Sequence, residues 1–232
     1  MTEMLRVFVG RIHERQCMRH PRKEGFNVAV EYLSVSISGD VVVVAFDICS
    51  SSDILEELTL RGDLLRFQRF LTSLKRYLMK GQKKILFDVY KFTGDGWILL
   101  FPADTDGSAL LTFLRNLCSF FKKEFRREVL KYLDTPPKIT GLTFGVEKGL
   151  LGAMKMYSRR EYIGRAINIA CRLQSVVGAK GGSPAYKALV SNAVFSDYFS
   201  PASNYKVFRA RRTLRNIRGG AEFRCRKIEL LN

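Results

Sequence analysis

Two aspartates have the residue type and the surroundings to do chemistry. Asp47 ends the apolar run of residues 41–47, and Asp95 lies between two glycines in residues 93–96. Paired carboxylates suit hard divalent cations such as Mg2+, which take oxygen ligands and share them with substrate phosphates. Two ions held by such a pair would support in-line displacement at phosphorus, as in nucleotidyl transfer. Either aspartate alone is more typical of a strand cap or a tight turn.

Composition excludes other kinds of active site. Both histidines, His13 and His20, lie near the N-terminus, so the main body has no histidine for a zinc site or a Ser-His-Asp triad. The five cysteines are scattered without a Cys-x-x-Cys pair, which argues against a disulfide framework or a four-cysteine zinc site. Isolated thiols are typical of the reducing cytosol, so we expect a cytoplasmic protein.

The net charge of +17, from 39 Lys and Arg against 22 Asp and Glu, raises the question of a polyanionic partner. Nine of the basic residues lie in residues 206–232, in segments that also contain alternating apolar residues. Such charges serve equally well as solvated strand faces, so charge alone does not identify a ligand. No apolar run approaches the ~18 residues that span a bilayer, and no secretory signal is apparent. We therefore expect no membrane partner.

The elements that must position the two aspartates follow from hydrophobic periodicity. Residues 50–53 are Ser-Ser-Ser-Asp, a typical helix start with Ser50 as the expected N-cap. Apolar positions 64, 67, 71, 74 and 78 then step by three and four, which predicts a core-facing helix. A second helix is predicted over residues 107–133, and a further hairpin is predicted to begin around residues 148–149. The predicted strands cover residues 41–47, 85–92, 97–101 and 139–146.

This β-α-β-β-α-β order is that of the ferredoxin-like unit, an α+β fold. Its first and third strands lie antiparallel at the centre of the sheet, so the end of the first meets the start of the third. Asp47 and Asp95 are therefore expected to become neighbours in space. Residues 1–38 are predicted to form an N-terminal extension, and residues 39–232 the main domain.

Three segments, in this order, resemble the signature segments of class III nucleotide cyclase catalytic domains. They are Ala-Phe-Asp-Ile at 45–48, Lys-Phe-Thr-Gly-Asp-Gly at 91–96 and Gly-Arg-Ala-Ile-Asn-Ile-Ala-Cys-Arg-Leu at 164–173. The resemblance covers residues 40–232 and implies a ferredoxin-like core with additional C-terminal strands and helices. It also implies two divalent ions, Mn2+ or Mg2+, held by Asp47 and Asp95, with the backbone carbonyl of Ile48 as an extra ligand.

The same resemblance implies contacts with a nucleoside triphosphate. Asn168 and Arg172 match the pair that the family places on the ribose and the transition-state phosphate. Their i, i+4 spacing on a helix would present both side chains to one ligand. Lys91 matches the base-contacting lysine of the family, and Glu161 falls where adenylate cyclases usually have Asp.

A further arginine is expected to bind the polyphosphate. Arg215, in residues 214–217, replaces the lysine of a similar family segment, and Arg212 and Arg218 are the alternatives. The family works as a head-to-tail dimer with its active sites in the interface. The resemblance thus implies a homodimer with two shared sites, in which the metal ligands of one subunit face Asn168, Arg172, Lys91 and Glu161 of the other.

Hydrogen bonding leaves the choice of base open, because Lys91 and Glu161 could pair with any of the four bases. Ser51 and Ser52 stand where the family usually has an aromatic residue and a threonine, so Ser51 is expected to contact the substrate. The chain is similar to the compact bacterial pyrimidine cyclases of the Pycsar antiphage systems. This resemblance favours conversion of UTP or CTP to cyclic UMP or cyclic CMP, which activates a separate effector protein. An adenylate cyclase is the close alternative.

A hypothesis from another class is an RNA-binding module on a ferredoxin-like sheet, which would read single strands with exposed aromatic residues. The sequence has 17 Phe and 9 Tyr, but no segment matches the aromatic-rich RNP pattern. Without a metal, Asp47 and Asp95 would repel phosphate, so a nucleic-acid partner is not favoured. A catalytically inactive cyclase that only binds ligand is disfavoured because both aspartates, Asn168 and Arg172 are present.

Overall fold

One mixed sheet of eight strands organises the part of the chain that the computed structural model describes, residues 36–179, 182–199 and 204–231. The order across the sheet is β2-β3-β1-β4-β6-β8-β7, and β5 pairs with β4 outside this path. The strands are β1 (Ser36–Ile48), β2 (Asp88–Phe92), β3 (Gly96–Pro102), β4 (Leu142–Met156), β5 (Arg159–Ile163), β6 (Lys187–Ser191), β7 (Lys206–Arg212) and β8 (Phe223–Glu229). The helices are α1 (Ser51–Leu60), α2 (Leu64–Gly81), α3 (Gly107–Glu128), α4 (Arg165–Ser175) and the single turn α5 (Asn192–Val194).

Helices cover both faces of this sheet, because the side chains of β1 alternate between two buried faces. Val44 and Phe46 face the layer that contains α2 and α3. The predicted apolar stripe of α2 packs there from Phe67 to Leu78, whereas its first member, Leu64, is exposed. Val43 and Ala45 face α4 on the opposite side of the sheet. Asp47 continues the alternation of Val43 and Ala45, so its side chain lies on the α4 face.

The predicted α+β class and the β-α-β-β-α-β order are confirmed. β1 lies between β3 and β4 and is antiparallel to both, as the ferredoxin-like topology requires. The additional C-terminal elements are present as well. β6, β8 and β7 extend the sheet beyond β4, and α4 packs across β4 and β1.

Several local predictions are wrong, each for a reason in the backbone. Ser50 does not cap α1 with its side chain, because its φ of 56° is left-handed and turns the chain from β1 into the helix. The helical region that follows is divided at Gly62, whose φ is +72°. β2 begins only at Asp88, and α3 ends at Glu128, after which Leu130–Tyr132 form a 3-10 turn.

The further hairpin predicted to begin around residues 148–149 is present, but it turns later in the chain. β4 continues to Met156, and the turn into β5 is made by Tyr157 and Ser158, both with positive φ. β4 is long because β1 begins at Ser36 rather than at residue 41 and pairs with β4 as far as Ala153. The predicted domain boundary after residue 38 therefore falls inside β1. Residues 1–35 of the predicted N-terminal extension lie outside the described residues.

Two features concern the membrane and the state of the cysteines rather than the fold. Among the described residues, no helix is long and apolar enough to cross a membrane. In the same part of the chain, Cys49, Cys118, Cys171 and Cys225 are free thiols. Burial raises the pKa of Cys225 and of Cys49 to about 11, so both thiols are protonated and unreactive at neutral pH.

Arginines face one another across the two strands at the far edge of the sheet. Arg209 of β7 is directly opposite Arg226 of β8, and Arg211 is directly opposite Arg224. Arg226 donates to Oδ1 of Asn192 at 3.0 Å, and Arg211 lies 3.4 Å from Glu222. Like charges directly opposite each other in a sheet are destabilising. Part of the excess charge is thus concentrated where it weakens the β7–β8 pair.

This arrangement predicts that Arg224→Glu stabilises the protein. A carboxylate opposite Arg211 replaces a repulsive pair with an attractive one, and we expect the free energy of unfolding to rise by about 0.5 kcal/mol at low salt. The gain should shrink at high salt, because the pair is exposed and screened. Urea denaturation at two salt concentrations measures both effects.

Lys75→Glu is the matched control for this substitution. Lys75 is exposed on α2 and has uncharged residues three and four positions away on either side, so the same change in net charge forms no new pair there. If both variants are stabilised equally, the change in net charge explains the effect, and the cross-strand explanation is wrong.

Candidate active site

The antiparallel pairing of β1 with β3 brings Asp47 and Asp95 together. Asp47, near the end of β1, is directly opposite Gly96, the first residue of β3. Gly96 has no room for a side chain, since a Cβ there would lie 2.0 Å from the carbonyl oxygen of Phe46. Glycine therefore lets the β2–β3 turn close against β1, and the carboxyl groups of Asp95 and Asp47 are within hydrogen-bonding reach of each other.

The surroundings of Asp47 oppose its ionisation. Burial, followed by a hydrogen bond to Asp95 and the negative charge of Asp95, raises the pKa of Asp47 to about 7. The backbone N–H of Ile48 and the side-chain amide of Gln174 act in the opposite direction. Oδ1 of Asp47 is buried and has no hydrogen-bond partner within the described residues. A buried carboxylate oxygen without a donor is costly unless a proton or a cation neutralises it.

The chemistry of this pair fits a divalent cation. Two adjacent carboxylates offer hard oxygen ligands, and the unpaired Oδ1 of Asp47 is free to coordinate. In the described ranges, no cluster of three or more His, Cys, Asp and Glu residues is placed to hold a metal. Two carboxylates leave most coordination positions of a Mg2+ ion to water and substrate phosphates, which is how this ion is usually bound.

Ser51 lies beside the aspartate pair. It is the first residue of α1, it is buried, and its hydroxyl donates a hydrogen bond to Oδ2 of Asp95. A hydroxyl has only one proton to donate. Ser51 thus holds Asp95 in place, and its predicted contact with substrate, which the hydroxyl oxygen could make as an acceptor, stays a prediction. Ser52, the next residue, is exposed.

Asn168 and Arg172 lie one turn apart on the exposed side of α4, as their spacing predicts. The other side of this helix is buried against the sheet. There α4 approaches β4 closely, because a Cβ on Gly145 would lie 1.9 Å from the carbonyl oxygen of Ala170. Neither the Asn168 nor the Arg172 side chain makes a hydrogen bond or ion pair to another described residue. Both are available to a ligand or to a second subunit.

Gln174 shows which side of α4 faces the aspartates. Its amide donates to Oγ1 of Thr143 at 2.8 Å, and it is near enough to the Asp47 carboxyl to lower the pKa of that group. Two residues along an α-helix correspond to a rotation of about 200°. Arg172 therefore lies on nearly the opposite side of the helix from Gln174. Asn168, six positions before Gln174, is turned about 120° from it. Among the described residues, neither Asn168 nor Arg172 hydrogen bonds to Asp47 or Asp95.

Lys91 and Glu161, in contrast, are brought together. Nζ of Lys91 on β2 lies 3.2 Å from Oε2 of Glu161 on β5. A third residue, Tyr90, joins them, because its hydroxyl donates to the same Oε2 at 2.6 Å. These two hydrogen bonds, that of Tyr90 first and that of Lys91 second, lower the pKa of Glu161. Glu161 is accordingly a carboxylate at neutral pH.

Sequence reasoning missed Tyr90. Neighbouring residues of a regular strand face opposite sides, so an alternating pattern separates Tyr90 from Lys91. The β2–β3 register contains an irregularity: Val89 pairs with Leu99 and Lys91 pairs with Ile98, so Tyr90 is an extra residue. A bulge of this kind re-aims side chains. Its only signal in the sequence is an aromatic residue directly before the lysine of the motif.

Arg215 lies in the turn between β7 and β8, beside α4. Leu214 and Ile217 anchor this turn by packing against the buried side of α4. The turn closes through a hydrogen bond from the Leu214 N–H to the Gly220 carbonyl at 2.7 Å. The side chain of Arg215 itself is exposed. The turn is therefore fixed to the same helix that presents Asn168 and Arg172.

Of the two alternatives to Arg215, the structure disfavours Arg212. Arg212 is only 8% exposed and donates to the carbonyl oxygens of Val176 and Arg211. These contacts fix the C-terminal end of α4 to β7 and leave Arg212 little freedom to reach a ligand. Arg218 is exposed like Arg215, and its carbonyl accepts a hydrogen bond from Arg165 at 3.4 Å.

Comparisons with known proteins give the fold a precedent. No protein-family model matches the sequence, and no curated protein matches it. Among solved structures, a bacterial light-regulated adenylyl cyclase matches 86% of this chain at 14% identity with a TM-score of 0.63. The matched region is 54% of that protein, so the present chain spans about half of its length.

Two further structures are covered almost completely. The adenylyl cyclase CyaB from P. aeruginosa is 17% identical, with a TM-score of 0.60 over 84% of this chain and 96% of that protein. The guanylate cyclase domain of RhGC from Catenaria anguillulae, in complex with GTP, is 11% identical, with a TM-score of 0.57 over 83% of this chain and 97% of that domain. The chain thus has the fold of the catalytic domains of adenylyl and guanylyl cyclases.

Proposed function

We propose that this protein is a metal-dependent nucleotide cyclase that converts a nucleoside triphosphate into a 3′,5′-cyclic nucleotide and pyrophosphate. The observation that carries the proposal is the unpaired, buried Oδ1 of Asp47 beside the Asp95 carboxyl, in a fold shared with nucleotide cyclases. A pair of carboxylates that is costly without a cation is what a two-ion phosphoryl-transfer site needs.

Asp47 and Asp95 would hold two divalent ions, Mn2+ or Mg2+, with the backbone carbonyl of Ile48 as a further ligand. When bound, the ions supply positive charge that favours loss of the 3′-hydroxyl proton and neutralises the triphosphate. Ser51 keeps Asp95 oriented through its hydroxyl. Gln174 and the Ile48 N–H favour the ionised form of Asp47, which is the form that binds a metal.

The remaining groups of each site would come from a second copy of the chain. Asn168 and Arg172 face away from the aspartates of their own chain, so a head-to-tail homodimer would bring them to those of the other. Asn168 of the partner subunit would orient the ribose. Arg172 of the partner subunit would neutralise charge on the transferring phosphoryl group, and Arg215 would bind the polyphosphate through its planar guanidinium.

Lys91 and Glu161 would contact the base. We propose that a pyrimidine is preferred, so that UTP or CTP gives cyclic UMP or cyclic CMP, which activates a separate effector protein in antiphage defence. The departure at Ser51 and Ser52 from the family pattern supports this preference. An adenylate cyclase is the second candidate, because adenylyl cyclases are among the proteins that share the fold.

A product assay tests the proposal. The purified full-length chain is incubated with each of the four nucleoside triphosphates and Mn2+, and products are identified by mass spectrometry. We expect a cyclic pyrimidine nucleotide and pyrophosphate in equal amounts, with no product when the metal is chelated. Cyclic AMP as the sole product would contradict the pyrimidine preference but would still support the proposal that the protein is a nucleotide cyclase. Absence of turnover together with salt-sensitive RNA binding would favour the RNA-binding alternative.

A further inference from the structure

The irregularity in β2 places two consecutive side chains on one carboxylate. Val89 and Lys91 pair with consecutive residues of β3, which leaves Tyr90 as the extra residue of a bulge. A regular strand would direct Tyr90 and Lys91 to opposite faces. In the bulged strand, both reach Oε2 of Glu161, Tyr90 at 2.6 Å and Lys91 at 3.2 Å. The backbone of β2 is thus shaped to gather these three residues.

The direction of the short hydrogen bond follows from counting protons. The backbone N–H of Tyr162 donates to the Tyr90 hydroxyl oxygen at 2.9 Å, so this oxygen is already an acceptor. Its one proton has two acceptors in reach, Glu161 Oε2 at 2.6 Å and the carbonyl oxygen of Tyr162 at 3.3 Å. The shorter, charge-assisted bond to the carboxylate is the stronger. The pKa of Tyr90 is raised to about 12, first by burial and then by Glu161, so the phenol keeps this proton.

The network leaves one oxygen of Glu161 for a ligand. Oε2 accepts from both Tyr90 and Lys91. No donor among the described residues bonds to Oε1. Because a phenol and an ammonium group both donate, Glu161 is held ionised and presents Oε1 as a pure hydrogen-bond acceptor. Lys91 retains further N–H donors beside it. The protein thus offers an acceptor next to a donor.

We infer that Tyr90 is a specificity-positioning residue, which fixes Glu161 as the acceptor that reads the nucleobase. The edge that Glu161 and Lys91 read has an N–H donor beside a hydrogen-bond acceptor, as the N3–H and O4 of uracil do, or the amino group and N3 of cytosine. Purines show the same pattern, so selection between bases comes from the place where Tyr90 fixes Oε1 and not from the pattern itself. This inference rests on the proposed function, because it assumes a nucleotide whose base lies against Lys91 and Glu161. It adds to that function the residue that sets the orientation of the carboxylate.

Removal of one hydroxyl tests the inference. Tyr90→Phe keeps the ring and its packing but frees Glu161 from its shortest hydrogen bond. We expect KM for the preferred triphosphate to rise roughly tenfold, the usual effect of losing a hydrogen bond to a charged group, while kcat stays within about threefold. KM for the disfavoured triphosphates should hardly change, so discrimination between bases falls. The pKa of Glu161 itself should rise, because the carboxylate loses the main cause of its low pKa, and an NMR titration of this side chain measures the change.

Tyr162→Phe is the matched control. The Tyr162 ring packs edge to face against Tyr90 with centroids 5.1 Å apart, but its hydroxyl has no hydrogen-bond partner in the described part of the chain. We expect the selectivity of this variant to equal that of wild type. Equal selectivity of Tyr90→Phe and wild type would overturn the inference, and so would a uniform loss of kcat on all four substrates, which indicates a structural role.

A binding measurement separates this inference from the proposed function. The four 3′-deoxynucleoside triphosphates lack the attacking hydroxyl, so calorimetric titration reports affinity without turnover. A selective wild type whose Tyr90→Phe variant is equally selective contradicts the inference alone. A wild type that neither binds nor converts any nucleotide contradicts the proposed function and the inference with it.

Discussion

Asp47→Asn should abolish nucleotide turnover and, at the same time, make the metal-free protein more stable. We expect a loss of activity of roughly a thousandfold or more, since charge stabilisation by a bound metal contributes several kcal/mol to phosphoryl transfer. Asparagine keeps the size of the side chain but removes the negative charge that a cation needs. The initial rate with the preferred triphosphate and Mn2+ measures this loss.

The gain in stability follows from the pKa of Asp47, which is about 7 in the folded protein against an ordinary value of 3.8. The folded state therefore binds a proton that the unfolded state has released. Linkage then requires that the wild-type protein lose stability as pH rises from about 4 to 7. Asparagine does not titrate, so the stability of the variant does not fall over this pH range. Above pH 7 we expect its melting temperature, without metal, to be higher by about 2–4 °C, as for 1 kcal/mol in a chain of this size.

Two comparisons make this prediction specific. Asp197→Asn changes net charge equally at an exposed position, and it should alter neither activity nor melting temperature. Added Mn2+ should stabilise the wild type and leave Asp47→Asn unaffected, because only the wild type retains both carboxylates. An Asp47→Asn variant with activity near that of wild type would contradict the proposal that Asp47 binds a metal ion.

A mixture of two inactive variants should regain activity. Asp95→Ala removes a metal ligand, and Arg172→Ala removes the group proposed to reach the other subunit's site. In a heterodimer of the two, one site carries both defects and the other carries neither. Random association makes half of the dimers heterodimers, so the mixture should reach about a quarter of wild-type activity.

The control for complementation mixes Asp95→Ala with the double variant that carries both substitutions. Every site in that mixture lacks Asp95, so no activity should return. Exchange between subunits is verified with a size tag on one of the variants. Heterodimers that form without regaining activity would contradict shared sites and would require Asn168 and Arg172 to act within their own chain.

The fold and the aspartate pair could be predicted because both depend on local patterns and on one topological rule. The alternation in β1 and the apolar stripes of α2 and α3 fix the layers. The ferredoxin-like order then places Asp47 next to Asp95 without further information. The spacing of Asn168 and Arg172 needed only the period of a helix.

The remaining features depend on partners that are distant in sequence. β4 runs on through residues 148–149 because the early start of β1 offers it a neighbour, which no local pattern reveals. Ser51 bonds to Asp95, 44 positions away, and Tyr90 bonds to Glu161, 71 positions away. The bulge that re-aims Tyr90 exists only relative to the register of β3. Alternation rules cannot predict a side chain that departs from alternation.

Helix α4 has a consequence for how the two sites of the proposed dimer would respond to ligand. Its Gln174 lies beside Asp47 of the same chain and lowers the pKa of that carboxyl, while Arg172, on nearly the opposite side of the helix, would serve the other site. A rigid helix cannot shift one side without the other. Binding of a nucleotide at one site would therefore alter the affinity of the other site for nucleotide. Thermodynamic linkage makes this effect equal in both directions.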